Sequence, residues 1–355
     1  MNLREYIHAL SEKNMLNNVN KEVNWKYEIG EIARKASTNA VLFNNIGGYK
    51  NYKLFTGGLA SCAHFSLLLQ SSEVLTKREI IDELRRRVGN PIKPFIYNKS
   101  DEDYVWEEGK EVNLYSLPVP WWHPRDGGRY IGTWHINVSK NPETNTRNIG
   151  VYRMQIKSRN YATISASPGS HLSLHVKIAE RINTDLPVAV AIGVDETVVM
   201  AGASAIKEGV DEYTVAGAIE KKPLQLVKCK IVDLEVPSNA EIVLEGVVRS
   251  GIRMQDGPYF DYSGKTNINK NAFCFEVRAI KRKYNPIFRG MSVGVAGAED
   301  HLLFSVLSHL GMVDFHGSAL RQKMQNYLLK AGLYRLFQLT GRIGIVRLKK
   351  VNHRS

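Results

Sequence analysis

The chain has 355 residues, 43% hydrophobic and 23% charged, with a formal net charge of +13. A length of this order exceeds what one core usually organises, so two or more structural units are expected. No apolar run reaches the roughly 18–20 residues that span a bilayer, which excludes a membrane-spanning helix. The start, Met1-Asn-Leu-Arg-Glu-Tyr-Ile-His8, is polar and amphipathic and lacks a signal-peptide core, so the expected location is cytoplasmic. Cys62, Cys229 and Cys274 are scattered without a CxxC pair, which argues against a zinc knuckle or a disulfide framework. Cys229 and Cys274 sit in apolar strand-like runs and read as core thiols. A pI of about 9.5 admits nucleic acid as a partner. Yet the basic residues gather only at the end, in Arg342, Arg347, Lys349, Lys350 and Arg354, and no helix-turn-helix, zinc-finger or RNP pattern occurs. Specific nucleic-acid binding is therefore not expected, and the positive field suits small anionic substrates.

In chain order, the period of Leu3, Tyr6, Ile7 and Leu10 predicts a helix within residues 1–20, and Ile29, Ile32 and Ala33 a second over 27–37. Val41–Ile46 reads as a buried strand ended by Gly47-Gly48, and Gly57-Gly58 as a turn. Thr76 with Glu79 three residues on forms a capping box opening a helix over 75–88. Pro91, Pro94, Pro118, Pro120 and Pro124 punctuate residues 89–125, the expected junction between an N-terminal α/β domain (1–120) and a central domain (121–296). Strands follow at 131–138, 149–156 and 161–165, a helix at 172–182, a buried strand at 186–193, a helix at 211–219, and strands at 224–235, 241–249 and 272–280. Many strands with two intervening helices suggest a barrel-like central sheet. Residues 297–311 and 318–338 read as helices, so 297–355 is expected to be a helical C-terminal segment with a basic tail. The apolar faces of these helices, at Leu302, Leu303 and Val306 and at Leu320, Met324 and Leu328, call for a partner and so for self-association into a homo-oligomer.

The chemistry concentrates in Met254-Gln-Asp-Gly-Pro-Tyr-Phe-Asp-Tyr-Ser-Gly264, where Asp256 and Asp261 flank a Gly-Pro turn. Two carboxylates held in one partly desolvated cleft repel, and one is then able to carry a proton at neutral pH. The plainer reading is a surface turn with two solvated aspartates. Four further segments accompany it: Trp122-His-Pro-Arg-Asp-Gly-Gly-Arg-Tyr-Ile131, Arg147-Asn-Ile-Gly-Val-Tyr-Arg-Met-Gln-Ile156, Pro168-Gly-Ser-His-Leu172, and Gly209-Val-Asp-Glu-Tyr-Thr-Val-Ala-Gly217 with Leu234–Gly246. In this order, across residues 30 to 300, they resemble the UbiD family of decarboxylases, which use prenylated flavin mononucleotide.

That resemblance implies a mixed α/β fold: an N-terminal α/β unit, then a split β-barrel central domain of the FMN-binding kind, with the C-terminal domain shortened or absent. It maps metal ligands onto Asn148, His171 and Glu212, an O, N, O donor set that suits Mn²⁺ or Mg²⁺, with K⁺ as a further cation. Taken singly, Asn148 reads as a strand-capping residue, His171 as a helix-start residue, and Glu212 as an acid favoured by a helix dipole. Val151, Arg153 and Ser170 join the cofactor-binding set. The catalytic set falls on Arg153, Asp256 and Asp261, with Asp261 as proton donor and Asp256 as its partner; the family often carries Glu at one or both acidic positions. The family usually continues with a further α/β domain bearing a late lysine near the cofactor phosphate, which residues 306–355 do not resemble. The implied activity is reversible non-oxidative decarboxylation of an aromatic or α,β-unsaturated carboxylic acid, with a flavin prenyltransferase as cofactor supplier. Three alternatives stand beside it: a decarboxylase of a phosphorylated branched acid from an archaeal branch of the family, a non-catalytic basic scaffold, and a plain FMN oxidoreductase. No GxGxxG motif supports the last.

Overall fold

The computed structural model describes residues 1–36, 38–98, 104–207, 209–294 and 299–310. Asn2 caps the first helix, Leu3–Glu12, whose Leu3, Tyr6, Ile7 and Leu10 are buried. The helix covers the expected period and stops well short of residue 20. Asn14 takes a left-handed backbone with φ 56°, a conformation asparagine tolerates, and the chain continues as a strand, Leu16–Val19. This strand lies parallel to Ala40–Phe43, which pairs with Lys53–Thr56, which in turn pairs with Ile287–Arg289 from beyond the central sheet. Helix Glu28–Ala36 lies where the sequence predicts it, and helix Lys77–Val88 has the expected Thr76–Glu79 capping box. Helix Glu299–Leu310 packs against Lys77–Val88. Its Leu303 and Val306 are fully buried within the chain, so these two side chains do not await an external partner. Leu320, Met324, Leu328 and the basic tail lie outside the described residues.

The central sheet has seven strands and is antiparallel throughout. Along it run Tyr161–Ile164, Thr266–Lys283, Ile242–Phe260, Leu186–Ile192, Ile136–Lys140 and Arg147–Gly150, with Tyr104–Glu108 pairing on Thr266–Lys283. The mixed α/β class with a split-barrel sheet is thus borne out. Several elements differ from expectation. The strands predicted at 241–249 and 272–280 are the base of a much longer ribbon, 19 and 18 residues per strand. Beyond Val248 the residues are mostly half-exposed or exposed, so apolar alternation fades while backbone pairing continues. Gly257-Pro258 is a cis step inside this ribbon, at a register shift between Asp256 and Tyr259, and not a free turn. Helix Glu196–Ala203 escapes sequence reading because Val198, Val199, Met200 and Ala201 are all buried, leaving little contrast between its faces.

The predicted strand 131–138 divides into Tyr130–Gly132 and Ile136–Lys140, and 149–156 into Arg147–Gly150 and Met154–Gln155. The inner pieces leave the large sheet and pair with each other. This break positions the site, because it carries residues 151–153 off the sheet edge.

Candidate active site

Asn148 lies on the sheet's terminal strand opposite Ser139 and is buried. Alternation sends its neighbour Arg147 the other way, onto Asp211 (2.5 Å) and Glu235 (2.7 Å). Asp211 also caps the helix Glu212–Glu220, accepting from the Tyr213 amide, so the Arg147–Asp211 pair ties that helix start to the strand carrying Asn148. His171 opens the helix His171–Arg181, capped by Ser170. The three elements meet at their ends. His171 Nδ1 lies 3.0 Å from Asn148 Oδ1 and 3.8 Å from Glu212 Oε1. Glu212 Oε2 accepts the Ile149 amide at 3.0 Å, which fixes its carboxylate. Among the described residues no three His, Cys, Asp or Glu side chains gather where they could hold a metal; His171 and Glu212 have the Asn148 amide beside them. Asn148 Nδ2 is buried and makes no hydrogen bond of ordinary geometry, so it has a donor to spare for an acceptor beside it. Tyr152 joins the same corner, its phenol pushed up by burial and held down by Asn148, the Leu172 backbone and Ser170.

A cleft of about 200 Å³ opens beside this corner. Val151, Arg153 and Asp261 line it, with Trp134, Tyr259 and Phe304 among its aromatic walls. Arg153 donates through Nε to Asp256 Oδ1 at 2.7 Å and lies 5.1 Å from the Tyr259 ring. Asp256 is completely buried and also accepts from Thr163 Oγ1 at 2.6 Å and from the Tyr130 hydroxyl at 3.5 Å. Asp261 is half-buried and accepts from the Ser263 amide at 2.8 Å, the Ser263 hydroxyl and the Asn267 amide. The two acids therefore have separate partners. Asp256 lies behind Arg153 and orients its guanidinium; Asp261 lines the cleft.

Asp126 lies in the segment Trp122–Ile131, and no role for it is legible in the sequence. Asp126 is buried, accepts the Phe260 amide at 2.7 Å and the His123 amide at 3.0 Å, and has its carboxyl pushed up to about 6. Burial is the main cause, opposed by those two amides and by the charges of Arg34 and Arg153. His123 is pushed down to about 4 by burial and by Arg34 and Arg125, so at neutral pH an uncharged ring stacks on Phe260 with 4.0 Å between centroids. Motif order pointed to this segment; burial, which decides the carboxyl's behaviour, is invisible in one sequence.

Residues 97–296 match the family model described as the 3-octaprenyl-4-hydroxybenzoate carboxy-lyase Rift-related domain, and residues 7–87 match that of the corresponding N-terminal domain. The chain belongs to the UbiD family. It is 30% identical over 314 residues to the phenolic acid decarboxylase of Bacillus subtilis (strain 168), covering 83% of this chain and 64% of that protein. It is 27% identical over 317 residues to the phenolic acid decarboxylase of Escherichia coli O157:H7, covering 85% of this chain and 66% of that one. The chain thus spans about two thirds of the length of these curated relatives. Among solved structures, the closed form of Sedimentibacter hydroxybenzoicus vanillic acid decarboxylase superposes with a TM-score of 0.82 at 28% identity, covering 86% of this chain and 67% of that one. An evolved dimeric form of the UbiD-class enzyme HmfF from Pelotomaculum thermopropionicum, in complex with prenylated FMN, gives 0.78 at 29% identity, covering 86% and 70%. Among the described residues, no helix is long and apolar enough to cross a membrane.

Proposed function

We propose that this chain carries the active site of a reversible decarboxylase for an aromatic or α,β-unsaturated carboxylic acid, working with prenylated FMN and a divalent metal. The observation that carries this reading is Arg153, locked by the buried Asp256 at the edge of a cleft that Asp261 shares. Arg153 binds the substrate carboxylate through charge-assisted hydrogen bonds, and Asp256 keeps its guanidinium from swinging away. Loss of CO₂ breaks the carbon–carbon bond and leaves its electron pair on the α-carbon. Prenylated FMN, when bound, supplies the conjugated electron sink for that pair. Asp261 then delivers a proton to the α-carbon, so carboxylate and proton become CO₂ and a carbon–hydrogen bond. Aromatic walls exclude water and suit a planar unsaturated acid.

Asn148, His171 and Glu212 would hold Mn²⁺ or Mg²⁺, whose positive charge would offset the negative charge of Glu212 and of an anionic cofactor. The oxygen and imidazole donor set fits such an ion, and the buried Asn148 Nδ2 would donate to an anionic acceptor bound beside it. A flavin prenyltransferase is the implied cofactor supplier. The phenolic and vanillic acid decarboxylases among the relatives favour a phenolic acid as substrate class. The test is to load the purified chain with prenylated FMN and Mn²⁺ and assay a panel of phenolic and unsaturated acids for CO₂ release and deuterium exchange at the α-carbon. Turnover of at least one acid, dependent on the cofactor, is expected. No release and no exchange from any acid, with flavin demonstrably bound, would overturn the reading.

A further inference from the structure

Asp261 is the final residue of an unusual piece of backbone. It follows Phe260, the last residue of the long ribbon strand, and that strand end is gripped by the loop 122–128. The grip has three parts. The Asp126 carboxylate takes the Phe260 amide through one oxygen (2.7 Å) and the His123 amide through the other (3.0 Å). His123 stacks on the Phe260 ring, and the Arg125 guanidinium lies 4.4 Å from the same ring. The Gly127 amide donates to the Pro258 carbonyl at 2.6 Å, and a Cβ on Gly127 would come within 2.4 Å of the Gly257 carbonyl oxygen, so backbone touches backbone. The loop thus holds the chain at Pro258 and Phe260, between the two acids.

We infer that Asp126 is a positioning residue for the proton-donating step: by clamping the Phe260 amide it fixes the backbone from which Asp261 reaches the cleft. This rests on the decarboxylase reading of the site. Asp126 touches neither the cleft nor the three proposed metal donors, so it acts through Asp261 and not on the substrate. The clamp needs the ionised carboxylate. Two amide donors face its two oxygens, and a neutral acid or an asparagine presents a donor where one of them needs an acceptor. The charged groups around Asp126 are Arg34 from the helix Glu28–Ala36, Arg153 from the sheet edge, and His123 and Arg125 from its own loop; Tyr130 and Tyr259 are the other titratable neighbours. Burial brings the carboxyl to about 6 while the two amides hold it down. A local release that breaks the amide bonds and keeps the carboxyl buried therefore takes up a proton and is favoured on mild acidification, whereas full unfolding, which exposes the carboxyl, has the opposite dependence.

The test compares the full chain with Asp126→Asn. Amide hydrogen exchange of the 258–262 segment, followed without cofactor, is expected to be about tenfold or more faster in the variant, because a backbone held by one less hydrogen bond opens more often. In wild type, protection of the same segment, corrected for intrinsic exchange, is expected to fall as pH drops through about 6; this arm needs no variant and judges the clamp even where Asp126→Asn fails to fold. With flavin and metal loaded, kcat of the variant is expected to fall about 10–100-fold while KM moves less than about twofold, since transition-state proton delivery is lost and ground-state binding kept. The acidic limb of the wild-type kcat profile near 6 should vanish in the variant. Unchanged exchange of the segment in both arms, or an acidic limb that survives Asp126→Asn, overturns the inference. A wild-type protein that turns over no acid sinks the decarboxylase reading, while the exchange arms still decide the clamp.

Discussion

Asp261, Asp256 and Asp126 are three carboxylates of one type in three environments, and their surroundings assign them different work. Asp261 is half-buried and bonded to short polar side chains, which leaves it able to reach a bound molecule. Asp261→Asn removes the transferable proton and keeps the volume. Flavin is expected to stay bound, by absorbance, while turnover and α-carbon deuterium exchange drop by about 10²–10⁴-fold. Exchange at the wild-type rate would move the acid role to another carboxylate. Asp126 offers a separate thermodynamic test. Its folded carboxyl titrates near 6, above the ordinary 3.8, so the folded state holds its proton more tightly than the unfolded chain. Ionising it therefore costs stability, and that cost accrues as pH rises from about 4 to about 6. Asp126→Asn lacks this cost. Relative to wild type, the variant is expected to gain up to about 3 kcal/mol between pH 4 and 7, read from denaturant midpoints. A stability difference independent of pH would refute the raised carboxyl. The residue types and their order were legible in the sequence. Which acid was buried was not, because all three read alike as Asp beside Gly or aromatic residues.

The elements that bring the donors together are helix starts. His171 and Glu212 are each the first residue of a helix, one capped by Ser170 and the other by Asp211, and Asn148 sits on the strand between them. The helix start at Thr76–Glu79 was readable from capping chemistry, whereas Asn148, His171 and Glu212 were legible only through the family resemblance. Strand extents were less readable than that helix start. The ribbon Ile242–Phe260 with Thr266–Lys283 runs past its buried base into residues that alternate poorly, and the four-residue strand Lys53–Thr56 is too short to show a period. Glu212→Ala tests the junction of the elements. It removes a proposed metal donor and orphans the Ile149 amide. Metal and flavin retention are expected to fall by at least about 10–100-fold, with a loss of about 1–3 kcal/mol from the buried amide and secondary structure intact. Unchanged metal stoichiometry in the variant would remove Glu212 from the donor set.

Across the described molecule, one buried arginine joins distant stretches of chain. Arg289, on the last strand of the N-terminal sheet, pairs with Glu196 at 2.7 Å and Glu299 at 2.5 Å, and all three are buried. Glu196 also accepts from the Trp134 indole, and Glu299 from the Gly57 and Leu59 amides. Trp134 is a wall of the cleft, so the network reaches the site from beneath. Arg289→Met leaves two buried carboxylates without their cation and is expected to destabilise the fold by about 3–5 kcal/mol. Adding Glu196→Gln should restore part of that loss in the same unfolding measurement; no recovery would show that the glutamates do not depend on Arg289. The long ribbon has a mechanical consequence. Both acids ride near its far end, Asp256 bound to Arg153 at 2.7 Å, while Asn148, His171 and Glu212 sit on other elements. The ribbon is a lever with its fulcrum in the sheet, and loop 122–128 is the stay that steadies its tip. A change in twist along its length would act on Asp261, beyond the strand end, more than on Asp256, which Arg153, Thr163 and Tyr130 hold. Distant substitutions in the ribbon are therefore able to retune the gap between Asp261 and Arg153 without altering a single residue that lines the cleft.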